Sequence, residues 1–183
     1  MDIYEAIERR RTIRKYQGAA TEEQLNKIIT AATKSPSGTN KQNWEFVIVD
    51  DPMLIEKVSE TKYLLNRGKP LGEEVSEDQE KAAQRQKDSF ANASLVLVFH
   101  NSELTDAAGG WCCIENMLLA AVAEGLGTRI ARFRGDSVTD INKLMNAPEG
   151  MDLVAAISIG VPAEEPEPRN LRPDGSWLHR NSF

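Results

Sequence analysis

Three arginines and a threonine crowd into five residues near the start of the chain: Arg10, Arg11, Thr12 and Arg14. A guanidinium fork binds phosphate oxygens in pairs, and a hydroxyl adds one more donor. The cluster could therefore hold a phosphate dianion. By composition alone a solvated basic helix end is the favoured reading. A second polar cluster, SPSGTNKQNW, runs from Ser35 to Trp44. Small residues with a glycine let backbone approach a flat ligand closely, and Asn and Gln amides match ring carbonyls and N–H groups. The plainer alternative is a helix-to-strand loop with Trp44 as a core anchor. A third segment, Gly125 to Phe133, follows an apolar helix and could present backbone N–H groups to a ligand; glycines there also suit an ordinary C-cap. Arg169, in the Pro-rich segment PEPR, is a lone tail cation on its own evidence.

The chemistry that is missing narrows the field. The two histidines, His100 and His179, lack neighbours at metal-ligand spacing. No Ser-His or Cys-His pairing suggests a nucleophile, and no Walker A motif occurs. Without a G-x-G-x-x-G after a strand, a Rossmann site is unsupported. Side chains this poor in reactive groups suit a protein whose cofactor does the chemistry, or a non-catalytic binding module.

The elements that must position these residues follow from periodicity. Helices are expected at residues 3–10, from Thr21 with a Thr21/Gln24 capping box, after the Asp51-Pro52 start signal, over 110–124, and from an Asp136 or Ser137 cap to Met145. Buried strands are expected at 45–49, 95–99 and 153–159, with a shorter one at 129–133. The charged run over 73–88 reads as an exposed helix, part of a lid or a solvated insertion, and residues 160–183 as an irregular tail. Irregular alternation with two leading helices favours an α+β sheet domain over a doubly wound one.

With 183 residues, 40% of them apolar and 27% charged, one soluble globular domain is expected. A formal charge of -6 disfavours general binding to nucleic acid or anionic membrane. The opening residues carry no secretory pattern, and no stretch approaches the roughly 18 apolar residues of a membrane span. The adjacent Cys112 and Cys113 read as a reduced pair, so a cytoplasmic location is expected.

Taken in order, ERRRTIRKY, SPSGTNKQNWEFVIV, ASLVLVF, GWCCIENMLLAAVAEGLGT and AISIGVPAEEPEPR resemble the nitroreductase-like flavoprotein family over nearly the whole chain, the polar stretch at 72–87 excepted. The resemblance implies an α+β fold with a central, mostly antiparallel sheet packed by helices. It also implies an obligate homodimer with FMN between the subunits, and reduction of a small acceptor (a nitroaromatic, quinone or flavin) by NADH or NADPH in ping-pong fashion. Carried onto this chain, Arg10, Arg11 or Thr12, Arg14 and Arg169 would hold the FMN phosphate and ribityl chain. Pro36, Ser37, Gly38 and Asn40 would approach the flavin ring from the partner. Asn66 and Lys69 would contact the ring, with Lys69 supplying positive charge. Backbone N–H groups at Ala131 and Arg132 would face flavin N5 and O4. Three departures stand out: Asn43 where the family usually has Pro, one residue fewer around Ala131, and Arg132 in place of a small residue. The 162–183 tail, with Trp177, Leu178 and Phe183 and little local core, is expected to reach the partner subunit.

Overall fold

A computed structural model describes residues 1–104 and 107–182; Phe183, expected to help cover the partner, lies outside them. The elements run α1 (Ile3–Arg9), β1 (Tyr16–Ala19), α2 (Glu22–Ala32), β2 (Trp44–Val49), α3 (Pro52–Arg67), α4 (Glu77–Asp88), β3 (Ser94–Asn101), α5 (Ala108–Ala123), β4 (Gly127–Ala131), α6 (Asp136–Leu144) and β5 (Met151–Pro162). The sheet order is β1-β5-β3-β2, with β4 paired to β5, and every named strand pair is antiparallel. The fold class is α+β, as expected.

Period-two alternation in β3 explains the layering. Val96 and Val98 face one helical layer with α2 and α5, while Leu95, Leu97 and Phe99 face the other with α3 and α6. Both faces are covered, so β3 is apolar at successive positions and buried throughout its interior. Helix α5 is central: Cys113, Ile114, Met117, Leu118 and Ala121 are buried along it. Cys113 is buried and Cys112 exposed, both as free thiols. No helix among the described residues is long and apolar enough to cross a membrane.

Local capping follows the sequence in two places. Thr21 and Gln24 form the reciprocal box that starts α2, and Asp51 accepts from Met53 N at 2.8 Å with Pro52 opening α3. Four expectations need correction. Strand β1 was not foreseen; its four residues are held by distant pairing with β5 rather than by local preference. β4 begins at Gly127 and ends at Ala131, two residues earlier than 129–133. β5 continues through Pro162, shortening the irregular tail. Neither Asp136 nor Ser137 caps α6: Gly135, at φ 56, is the cap residue, and the Ser137 hydroxyl instead meets Arg134 N and O.

The charged helix α4 is not solvated all round. Ala83 is fully buried, and the helix packs on α3 with Arg67–Glu80 at 3.0 Å and Lys87 bridging Glu56 and Glu60 at 2.8 and 2.6 Å. Phe90, just beyond it, joins the core on the α3 side.

Candidate cofactor site

The link between α1 and β1 lies along β4. Ile13 N donates to Thr128 O at 2.9 Å, and Thr12 and Thr128 form a parallel bridge. Close approach demands glycine at 127, because a Cβ there would stand 2.5 Å from Ile13 Cγ1. This seam sets Arg10, Thr12 and Arg14 around a cavity of about 210 Å³, completed by Gln86, Leu118, Thr128, Arg129 and Ile130. Among the described residues no carboxylate lines it. Arg129 is buried, donates through Nη2 to Gln86 Oε1, and lies 5.2 Å from the centre of the Phe90 ring. Its Nη1 and the neighbouring Thr128 Oγ1 are buried without a hydrogen-bond partner among the described residues.

The sequence left Arg11 and Thr12 as alternatives, and the two diverge. Thr12 lines the cavity; Arg11 turns away, donating to Glu8 O at 2.6 Å and Arg10 O at 3.0 Å, beside a separate cavity that includes Glu164 and Glu165. Arg169 reaches back to this region but spends Nη2 on the carbonyls of Ile7 (2.8 Å) and Arg10 (2.5 Å). It therefore ties the tail to the last turn of α1, where a cation suits the helix dipole.

Beyond the end of β4 lies a second cavity, of about 290 Å³, lined by Lys62, Leu65, Asn66, Arg132, Phe133 and Arg134. Lys62 Nζ donates to Arg132 O at 2.6 Å and sits 5.5 Å from the Phe133 ring centre. Burial, reinforced by Arg129, Arg134 and Arg132, pushes the Lys62 ammonium down to about 8. Asn66 donates to Lys62 O at 2.7 Å. Arg132 holds its guanidinium 5.6 Å from the Trp111 ring centre. Ala131 and Arg132 thus occupy the junction between the two cavities. Lys69 does not line either of them: it is exposed and donates to Glu74 O at 3.0 Å.

Pro36, Ser37, Gly38 and Asn40 form a tight turn outside both cavities. Ser37 Oγ accepts from Gln42 N at 2.9 Å, and Thr39, Asn40 and Gln42 all adopt positive φ. The turn leans on the start of α5, where a Cβ on Gly109 would stand 3.5 Å from Ser37 Cβ. The sequence does not single out several of the cavity residues, among them Arg129, Gln86 and Lys62. Arg129 lay in a segment read for its backbone only, and the polar composition around Lys62 and Gln86 concealed which helical faces are buried.

The model of the Nitroreductase family matches residues 7–161. The chain belongs to the nitroreductase family. A relative from Methanothermobacter thermautotrophicus, provisionally named an NADH dehydrogenase/NAD(P)H nitroreductase, is 34% identical across 93% of this chain and 83% of its own. An iodotyrosine deiodinase from Thermotoga neapolitana is 27% identical across 93% of each chain. Among solved structures, an FMN-dependent nitroreductase from Clostridium difficile superposes with a TM-score of 0.73 at 25% identity, covering 97% of this chain and 98% of that one. The nitroreductase-family fold is thus common to this chain and to flavin-dependent relatives.

Proposed function

We propose that this chain is an FMN-dependent oxidoreductase that uses NADH or NADPH to reduce a small acceptor, such as a nitroaromatic, quinone or flavin, in ping-pong fashion and as a homodimer. The observation that carries the reading is the cavity where Arg10, Thr12 and Arg14 converge, with no carboxylate lining it among the described residues. That donor set fits a phosphate monoester and leaves a cation-rich hollow otherwise unexplained. The 25% identical FMN-dependent relative points to FMN as the phosphate's carrier.

Bound FMN would supply the redox chemistry, accepting and releasing hydride equivalents. The chain's own residues would bind and tune it. Arg10 and Arg14 would neutralise the phosphate and Thr12 would donate to it. Arg169 would act at one remove, by fixing the Arg10 backbone. Ala131 and Arg132 would present backbone N–H groups to the ring, with Asn66 at its edge. Lys62, rather than Lys69, is the cation placed to favour the anionic reduced cofactor, since Lys62 is buried in the second cavity and Lys69 is on the surface. The turn at Pro36, Ser37, Gly38 and Asn40 lies apart from both cavities of its own chain, which suits a role toward a partner subunit's cofactor.

Oxidation of NADH or NADPH by the FMN-loaded protein, measured without air and then with added nitroaromatic or quinone, tests the reading. A purely flavin-binding module would retain FMN and leave the nicotinamide unoxidised. The deiodinase relative supports a second reading, reductive removal of iodide from an iodotyrosine. Iodide release from 3-iodotyrosine, with no nitroaromatic turnover, would favour that reading over the first.

A further inference from the structure

Arg129 is a charge without a counter-charge. It is 4% exposed, yet no carboxylate stands within ion-pair distance of it among the described residues. Its protein partners are neutral: the Gln86 amide oxygen and the Phe90 ring. The nearby Tyr16 hydroxyl is committed to Ile13 O at 2.7 Å, and burial raises its pKa, keeping it neutral. Arg14 adds a second positive charge nearby, and Glu164 is engaged with the backbone of Arg14 and Lys15. Burial lowers the Arg129 guanidinium only to about 10, so it stays charged at neutral pH. An ionised group taken out of water without a partner is strongly disfavoured, and folded proteins pair such groups or bind an ion with them. Here the unpartnered Nη1 belongs to a residue lining the Arg10/Thr12/Arg14 cavity, beside the equally unpartnered Thr128 hydroxyl.

We propose that Arg129 is a buried anion ligand that takes the phosphate monoester of the cofactor from the strand side, and that Gln86 of α4 is its positioning residue. The proposal deepens the FMN reading and rests on it for the identity of the phosphate's carrier. Two features follow. The cavity contributes three guanidinium groups, one of them withdrawn from solvent, so the phosphate rather than the ring supplies much of the discrimination between flavins. The charged helix α4 is tied to the cofactor through a single amide, which gives that segment a part in binding.

The test compares FMN with riboflavin, which lacks the phosphate, by fluorescence titration of flavin-stripped protein. Arg129→Gln is expected to weaken FMN roughly tenfold to a hundredfold while leaving riboflavin within about twofold. Arg129→Lys, which keeps charge but loses the fork, should fall between. Gln86→Ala should weaken FMN by roughly twofold to fivefold with riboflavin unchanged, as expected when the guanidinium keeps its charge but loses the amide that positions it. Circular dichroism identifies any variant that has not folded, and the ratio is then read from the others. A wild-type FMN-to-riboflavin ratio in every folded variant overturns the proposal. If the wild type binds neither flavin, the FMN reading fails, and inorganic phosphate becomes the probe. Thermal stabilisation by phosphate of the wild type but not of Arg129→Gln would uphold the anion site; equal or no stabilisation of both would overturn it too.

Discussion

Lys62 Nζ donates to the carbonyl of Arg132 at 2.6 Å, tying α3 to the segment that leaves β4. Burial and three neighbouring arginines hold this ammonium down to about 8, below its ordinary 10.5. Below pH 8 both native and unfolded chains carry the proton, and the buried charge costs stability in full. Between pH 8 and 10.5 the unfolded chain binds more protons than the native one, so stability rises with pH and the cost is relieved. Flavin-free wild type should therefore gain stability relative to Lys62→Met on going from pH 7.5 to pH 10, by on the order of 2 kcal/mol. Denaturant unfolding of both proteins across that range checks it; a difference that is flat or falls with pH contradicts it.

The two lysines also differ in what they should do to a bound flavin. Lys62→Met should shift the two-electron midpoint potential of bound FMN negative by roughly 30 mV, the equivalent of about 1.4 kcal/mol. Lys69→Ala should leave the potential and the FMN affinity unchanged, because Lys69 is exposed and occupied by Glu74 O. Spectroelectrochemical titration reads both. Equal shifts in the two variants would remove Lys62 from its assigned role.

Gly127 is a packing requirement of the cation cluster. An alanine Cβ would meet Ile13 at its Cβ (2.8 Å) as well as at Cγ1, so no simple rotamer change relieves the clash. Gly127→Ala should cost about 1–3 kcal/mol and also weaken FMN, since the segment that must move carries Thr12 and Arg14. Thermal or urea denaturation measures the first effect and fluorescence titration the second. Unchanged stability would show that the seam yields without strain.

What could be read from the sequence was mostly what local chemistry decides. The Thr21/Gln24 box, the Asp51-Pro52 start, the buried LVLVF strand and the apolar helix ending near Gly125 all depend on near neighbours, and they appear as expected. Strand β1 could not be read, because its Tyr-Gln-Gly-Ala run is strand only by pairing with a segment at the far end of the chain. The site divided in the same way. Arg10, Thr12 and Arg14 stand out by type and spacing, gain a phosphate role only through the resemblance, and lie together at one cavity. Arg129 is recruited by strand alternation, and Gln86 and Lys62 by helix packing within polar stretches, none of which composition reveals. Lys69, the ring cation that the resemblance implies, lies just beyond the Gly68 C-cap that ends α3 and is exposed.

The tail bears on the proposed homodimer. Leu171, Trp177 and Leu178 are exposed by 69%, 56% and 70%, and Ile3, Tyr4 and Ile7 of α1 are exposed as well. Apolar surface of this kind calls for cover. Light scattering at micromolar concentration should give twice the chain mass, and Leu171→Ser with Trp177→Ser and Leu178→Ser should shift the protein toward the monomer and lower FMN retention. A monomeric wild type would contradict the shared-site arrangement.

If this cation cluster holds FMN for redox chemistry, the protein itself should carry and cycle the flavin. The most direct measurement is the visible spectrum of protein mixed with FMN, desalted, and then treated anaerobically with NADH or NADPH. Flavin bands near one FMN per chain are expected, bleaching on adding nicotinamide and returning on adding an acceptor. A colourless protein after desalting would contradict the site, and retained flavin that neither nicotinamide bleaches would contradict the activity.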